Sequence, residues 1–445
     1  MADLKPNDSK LSGDKKSPTD KRLFWLFVIS VLLITKFAFI FPPNIINIFG
    51  FVDIEEIGLG ILLILFIWTY KKKSEIPGYV KISYLVLLAY VGIQIIRSMY
   101  LYDQTFIETL KTEKHLMYGL LIFVTPKIIE KASDLKKVLK ILTIFSIISA
   151  ISFLIQAVLK RSFFNGYYQL NDIGGVTLFR AFDIFPLILI FTSFGIVYLM
   201  LNRGLTSRGG HGGKNYIILL ILALIPLAIN ATRSEWIAYA IVIIVILFIS
   251  KSKYKIQFLI SIAAIILILG SVSFISSRAN SIFSDVKQNG GTFGYRYDVV
   301  VERLNLIKHV SIPMGAGLVA YENHVYDNYF TAGDITSNDV AVSQADIGYS
   351  GIIGQLGIIG LLLYAIHIMA IMYYFGITFK HTENLERKAI MCAFIGISVW
   401  MVIITFANFG VYGRDVAVLY LAVGLVWSVR NHESKYKELK NDLEI

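Results

Sequence analysis

Apolar runs follow one another along this chain, most of them close to the length that crosses a bilayer. They fall at roughly 23–41, 51–70, 80–96, 116–130, 138–158, 183–201, 216–231, 234–250, 256–275, 347–375, 389–409 and 415–429. A hydrocarbon core of about 30 Å takes about 20 apolar residues at 1.5 Å each. The expected fold is therefore an all-α polytopic membrane protein with about twelve spans. Composition agrees. Of 445 residues, 56% are hydrophobic and 16% charged, against about 45–50% and about 25% in a soluble domain. A soluble globular enzyme, a disordered chain and a fibrous repeat are excluded. The single cysteine, Cys392, allows no intrachain disulfide. With no cleavable signal pattern at the start, the chain is expected to stay whole in the membrane.

Lysine and arginine set the orientation. Counting from the N-terminal tail, the segments after every second span hold 28 of the 42 Lys and Arg residues, including Lys71–Lys73, Lys127 and Lys131, Lys251–Lys255, Lys380 and Arg387. Both termini should be cytoplasmic. The net charge of +11 is then mostly a topology signal, and no nucleic-acid partner is expected. The layout is a cytoplasmic tail at 1–22, spans one to nine over 23–275, and a large extracytoplasmic loop at 276–345. Spans ten to twelve follow over 346–429, then a second cytoplasmic tail at 430–445. Smaller outer loops lie at 97–115 and 159–182, and the cytoplasmic Gly204–Gly213 stretch reads as a flexible linker.

Positive charge is depleted on the outer side, so each arginine there needs a reason. Arg233, in Asn-Ala-Thr232-Arg-Ser234-Glu235-Trp, sits at the outer tip of a tight helical hairpin. It is either an anchor reaching for headgroups or a clamp for a phosphate, which its planar five-donor guanidinium suits. A second group occupies one helix between Gly294 and Pro313. At 100° per residue, Val299, Val300, Leu304, Leu306, Ile307 and Val310 form an apolar stripe, with Arg296 and Arg303 in its middle. Asp298, Glu302, Asn305 and His309 lie opposite. The arginines either cover a cavity that holds an anion, or snorkel or pair with buried carboxylates.

The third group opens span ten. Glycine recurs every third residue at 348, 351, 354, 357 and 360. This allows close helix packing or keeps backbone bare for a lipid or sugar. Asp346, at the outer mouth of this helix, is an N-cap or a catalytic carboxylate. Lys36, Asp53, Glu55 and Glu56 share a depth near the outer ends of spans one and two, and a structural pair of Lys36 with Glu56 or Asp53 is expected. His324 is a lone loop histidine. Histidine spacing and the single cysteine give no zinc motif. Without a Walker loop or a dinucleotide fingerprint, no cofactor is expected.

In their order and topological positions, these elements resemble the superfamily of O-antigen ligases and O-antigen polymerases, bacterial membrane glycosyltransferases. The likeness covers most of the chain, including the twelve-span topology with the long outer loop between spans nine and ten. Thr232-Arg233-Ser234 resembles the family's Thr-x-Ser-Arg tip, with Ser and Arg exchanged. The stretch from Arg296 to Pro313-Met-Gly315-Ala-Gly317 resembles its arginine-bearing loop helix and the Pro-x-x-Gly-x-Gly that follows. Arg180, in Phe179-Arg-Ala-Phe, matches an outer-loop arginine ahead of span six. The family's ligases carry a His-Asn pair eleven residues before the first glycine of a Gly-x-x-Gly turn. Here Asp346-Ile347 stands eleven before Gly357, which favours a polymerase-like member.

The resemblance implies a GT-C-like membrane enzyme in the bacterial cell (inner) membrane, with its active site facing outward. It implies glycosyl transfer between polyprenyl-diphosphate-linked oligosaccharides, amid membrane lipids and with a chain-length regulator as a possible partner. Arg233, Arg296, Arg303 and Arg180 would bind the diphosphate and stabilise the charge it gains as it leaves. Asp346 is the first candidate for the general base, then His324, then Glu235. Arginine would take the place of a divalent metal, so a metal-independent, inverting reaction is expected.

Overall fold

A computed structural model describes residues 18–35, 54–72, 76–159, 168–181, 186–203, 212–256, 300–319, 348–407 and 415–430, with short gaps inside these ranges. The N-terminal part contains α1 (Pro18–Ile34), α2 (Ile54–Trp68), α3 (Gly78–Tyr102), α4 (Phe106–Thr112), a 3-10 helix (Lys114–Gly119), α5 (Leu120–Ile128) and α6 (Ala132–Leu159). Two strands follow, β1 (Tyr168–Ile173) and β2 (Val176–Ala181), then α7 (Leu187–Arg203), α8 (Gly212–Asn230) and α9 (Arg233–Ile249). The C-terminal part contains α10 (Gly348–His381), α11 (Leu385–Ala407) and α12 (Asp415–Trp427). A loop helix occupies residues 300–310.

Among the described residues, four stretches are long and apolar enough to cross a bilayer: Gly78–Tyr102, Ser133–Leu159, Gly348–His381 and Leu385–Thr405. Four shorter apolar helices accompany them, at Leu187–Asn202, Tyr216–Leu227, Ser234–Ile249 and Asp415–Trp427. Most of the run expected as span nine, 257–275, lies outside the described residues. The all-helical expectation needs one amendment. The segment after α6 forms an antiparallel hairpin in which Gln169 pairs with Arg180. Backbone that leaves a helix must still satisfy its N–H and C=O groups, and a two-stranded ladder does so locally.

Helix α3 shows the solvent for which these helices are built. Its outward residues Ile82, Leu85, Ile93 and Ile96 are exposed and apolar, while Gln94 and Ser98 are fully buried. This inverts the pattern of a helix in water. Lipid tails do not drive apolar helices together, so close packing does. A Cβ on Gly195 of α7 would stand 2.7 Å from the Ala389 carbonyl of α11, and one on Gly396 would stand 2.4 Å from the Phe194 ring. Phe191 and Phe194 flank the buried Trp400 ring, with centroids 5.8 and 6.5 Å away.

Segments that the charge pattern assigns to one side do meet. Lys72 Nζ lies 3.3 Å from Glu130 Oε1, joining the ends of α2 and α5. Asn202 Nδ2 donates to Ser250 Oγ at 3.2 Å, joining the ends of α7 and α9. Towards the other end, Lys114 Nζ lies 3.3 Å from Glu56 Oε1, and the Tyr118 hydroxyl donates to Glu55 Oε2 at 3.0 Å. Lys36, the partner expected for Glu56 or Asp53, lies outside the described residues, as does Asp53. Residues 216–250 do form the tight hairpin expected, α8 ending at Asn230 and α9 starting at Arg233, with Trp236 Nε1 donating to Leu227 O at 2.7 Å.

Candidate functional site

The site grows from a break in a span. Helix α10 is interrupted at Gly357, whose φ of 68° and ψ of −170° are not helical. That combination is open almost only to glycine. An interruption inside a membrane frees backbone groups that no water can satisfy. The turn Pro313-Met-Gly-Ala-Gly317 supplies the missing partners. Ala316 N–H donates to Gly354 O at 2.7 Å and Gly317 N–H to Gln355 O at 3.0 Å. In return, Ile358 and Ile359 N–H donate to Ile312 O and Pro313 O at 3.3 and 3.1 Å. The Tyr90 hydroxyl takes up the Leu356 carbonyl at 2.6 Å.

Contact at the break is so close that side chains have no room. A Cβ on Gly357 would sit 2.2 Å from Pro313 O, and one on Gly315, at φ 71°, would sit 2.5 Å from Gly357 N. Gly315 of the turn and Gly357 of α10 thus face each other across the junction. The close-packing reading of the glycine repeat therefore holds at Gly357. It holds as well at Gly360, 3.2 Å from the Tyr90 ring, whereas at Gly354 the Arg303 stem, 3.6 Å from where a Cβ would be, is at ordinary contact distance.

Helix α3 holds the turn from its other side. The Gln94 amide donates to Met314 O at 2.9 Å and to the Tyr90 hydroxyl at 2.8 Å. Arg97 Nη1 reaches Met314 O at 3.2 Å and Gly315 O at 3.0 Å. Leu318 N–H donates to Ser98 Oγ at 2.7 Å, Gln104 Nε2 to Leu318 O at 2.9 Å, and the Tyr102 hydroxyl to Ala316 O. Sequence reasoning did not single out this polar ladder. Its signal was present, because residues 90, 94, 98 and 102 recur every fourth position along one face of a span.

Arg303 is buried, at 3% relative exposure. Its Nη1 donates to Ser350 Oγ at 2.7 Å, and its stem crosses Gly354. The helical stripe that placed Arg303 on the buried face holds at Arg303 and Ile307, one turn apart. It fails at Leu304, which is 40% exposed. One hundred degrees from Arg303, Leu304 falls at the stripe's margin, and α10 covers only the centre.

The remaining candidates are less fully described. Arg233 opens α9 and Glu235 lies half-buried in its first turn. Helix α9 packs on α7, α8 and α11, whereas the described partners of Arg303 come from α10. Arg180 lies in β2, paired with Gln169. Arg296, His324 and Asp346 lie outside the described residues, as do Thr232 and the tyrosines at 295, 297, 321, 326 and 329. Among the described residues, no group of three His, Cys, Asp or Glu could hold a metal ion. An apolar cavity of about 390 Å³ opens between α6, α7, α8, α11 and α12, lined by Phe191, Ala393 and Leu421 among others. No residue of the turn or of α10 lines it, so the cavity is no part of the junction.

Beside the junction, α4 begins with a reciprocal cap. Thr105 N–H and its hydroxyl both donate to Glu108 Oε2 at 2.8 Å, and Glu108 N–H donates to Thr105 Oγ1 at 3.3 Å. Hydrogen bonds from the Thr105 backbone, and then from its side chain, hold the Glu108 carboxyl below the usual carboxylate range.

Apolar helices around an interrupted span, the gap sealed by a turn that follows a helix bearing a buried arginine, are those of an integral membrane protein. Residues 218–365 match the family model described as O-antigen ligase. The matched stretch is about one third of the chain. It runs from α8 through the hairpin tip, the Arg303 helix and the sealing turn to a point beyond the break in α10. This supports the O-antigen ligase and polymerase superfamily, and with it membrane glycan transfer. No curated protein matches the chain.

Proposed function

We propose that the protein transfers glycan units from a polyprenyl-diphosphate carrier at the outer face of the bacterial cell membrane. We further propose that it polymerises oligosaccharide repeat units into a surface polysaccharide such as an O-antigen, capsule or exopolysaccharide. The observation that carries this is the buried Arg303, fixed by Ser350 and Gly354 at the outer end of a broken span, inside the stretch that matches the family. A guanidinium placed beforehand costs little ordering when an anion arrives. It is also most useful where charge develops, here on the diphosphate that leaves as an acceptor hydroxyl attacks the anomeric carbon.

Arg233, Arg296 and Arg180 are proposed to share the diphosphate with Arg303. Asp346 is the proposed base that takes the acceptor proton, with His324 and Glu235 behind it. The reaction inverts the anomeric carbon in one displacement, needs no metal, and draws its energy from the diphosphate bond. A chain-length regulator is a proposed partner.

Transfer of a finished glycan to another acceptor is the second reading, favoured by the description of the matched family. The acidic Asp346, where the family's ligases have histidine, speaks for polymerisation. The break in α10 is a feature that transporters also use. Here the protein's own turn fills it, which supports a scaffold for a site over a translocation path.

Deleting the gene tests the proposal. Envelope glycans should lose a polymer ladder while a single repeat unit accumulates on the lipid carrier. Loss of one capped acceptor with the ladder intact would establish the ligase reading, and unchanged glycans would dismiss both.

A further inference from the structure

We propose that Arg97 is a second fixed guanidinium of the diphosphate site, holding the sealing turn with one nitrogen and meeting the lipid-linked phosphate with the others. This rests on the proposal that the outer face binds a diphosphate carrier. Arg97 stands at the outer end of α3 and is half-buried. Its Nη1 lies 3.1 Å from Gln94 Oε1, 3.2 Å from Met314 O and 3.0 Å from Gly315 O. All three acceptors are neutral. Among the described residues no carboxylate pairs with Arg97, and its described partners are carbonyl and amide dipoles.

Guanidinium carries five N–H donors in a rigid fork. Nη1 supplies two of them, and the three on Nε and Nη2 have no partner among the described residues. A lysine in this place would spend its single nitrogen on the turn. An arginine can grip the turn and still present a charged edge suited to two phosphate oxygens. Its anchored end also removes much of the side-chain freedom that binding would otherwise cost.

Position argues the same way. The turn that Arg97 holds lies against residues 354–359 of α10, and Arg303 is held at Ser350 and Gly354 of that helix. Two cations are thereby brought to one junction, Arg97 of α3 on the turn and Arg303 of the loop helix on α10. A diphosphate carries charge on both phosphates and can engage two such groups together.

The test uses the full chain in lipid nanodiscs, with a sugar-free polyprenyl diphosphate as probe and the uncharged polyprenol as its control. Arg97→Gln, Arg97→Lys, Gln94→Leu and Arg303→Ala are compared. Protease protection of residues 311–319 reports whether the turn stays docked. Losing hydrogen bonds to a charged group should weaken diphosphate binding about tenfold to hundredfold in Arg97→Gln. Arg97→Lys should recover part of that loss, and polyprenol binding should not change. Wild-type affinity in Arg97→Gln, with Arg303→Ala weakened, would leave Arg97 as an anchor and overturn the proposal. If Arg97→Gln releases the turn, Gln94→Leu decides. A released turn with affinity kept in Gln94→Leu supports a direct role for the guanidinium, and an equal loss of affinity overturns it. A wild-type protein that binds polyprenol as well as the diphosphate would instead remove the diphosphate site itself.

Discussion

Replacing Gly357 with alanine should pull the sealing turn off the broken span. At φ 68° and ψ −170°, a residue with a Cβ pays about 1–3 kcal/mol in backbone strain. The new methyl would also lie 2.2 Å from Pro313 O and 2.4 Å from Gly315 N, and both are backbone atoms that cannot rotate away. Separating them breaks the four backbone bonds from Ala316, Gly317, Ile358 and Ile359, at about 1 kcal/mol net apiece. The sum, about 5 to 7 kcal/mol, is comparable to the whole stability of many domains. Undocking the turn is less costly than refolding the bundle, so the turn should leave. Gly376→Ala is the control, because its Cβ meets nothing within 4 Å in the same helix. The assay is limited proteolysis across residues 311–319 of purified protein, alongside thermal unfolding. Gly357→Ala should be cut rapidly and unfold at lower temperature, while Gly376→Ala matches the wild type. Wild-type protection in Gly357→Ala would refute the account of the junction.

Arg303→Ala and Arg296→Ala should each abolish polymer at unchanged protein level. Ser350→Ala, which removes the acceptor of the 2.7 Å bond from Arg303, should lower the rate about fivefold to tenfold by the net worth of one hydrogen bond. Normal polymer from both arginine variants, scored on envelope glycan gels, would remove the clamp. Asp346→Asn should stop turnover yet retain the lipid-linked donor, and an unaffected rate in purified enzyme would move the base elsewhere. Chelator should leave that rate unchanged. The Glu108 carboxyl is held low by Thr105, so its contribution to the start of α4 is present above the ordinary carboxylate range. It is lost as pH falls through the lowered value. Protection of the amides over residues 106–112, taken relative to their intrinsic exchange rates, should therefore fall as pH drops from the ordinary carboxyl range near about 4.3 through the lowered value, and Thr105→Ala should flatten that dependence.

Two parts of the site were unequally legible. Arg303 announced itself, because a charged residue in the middle of an apolar stripe is costly unless something holds it. The Pro-Met-Gly-Ala-Gly turn was visible as a motif, and the glycine repeat of α10 as a packing surface. Their junction was not visible, because nothing in a run of apolar residues with glycine every third place says which glycine leaves the helix. Arg97 was passed over for a similar reason. Read alone, it is one more cation at the end of a span, and its acceptors Met314 and Gly315 lie more than two hundred residues away.

The order of residues by itself determined that this chain lives in lipid, since apolar runs of bilayer length have no other favourable solvent. It also gave the expectation of which segments share a side, since lysine and arginine are costly to move across a membrane. Tertiary structure alone decided where α10 breaks and what fills the gap. A backbone interruption in hydrocarbon survives only if a distant segment supplies its hydrogen bonds, and that pairing exists only once the chain has folded.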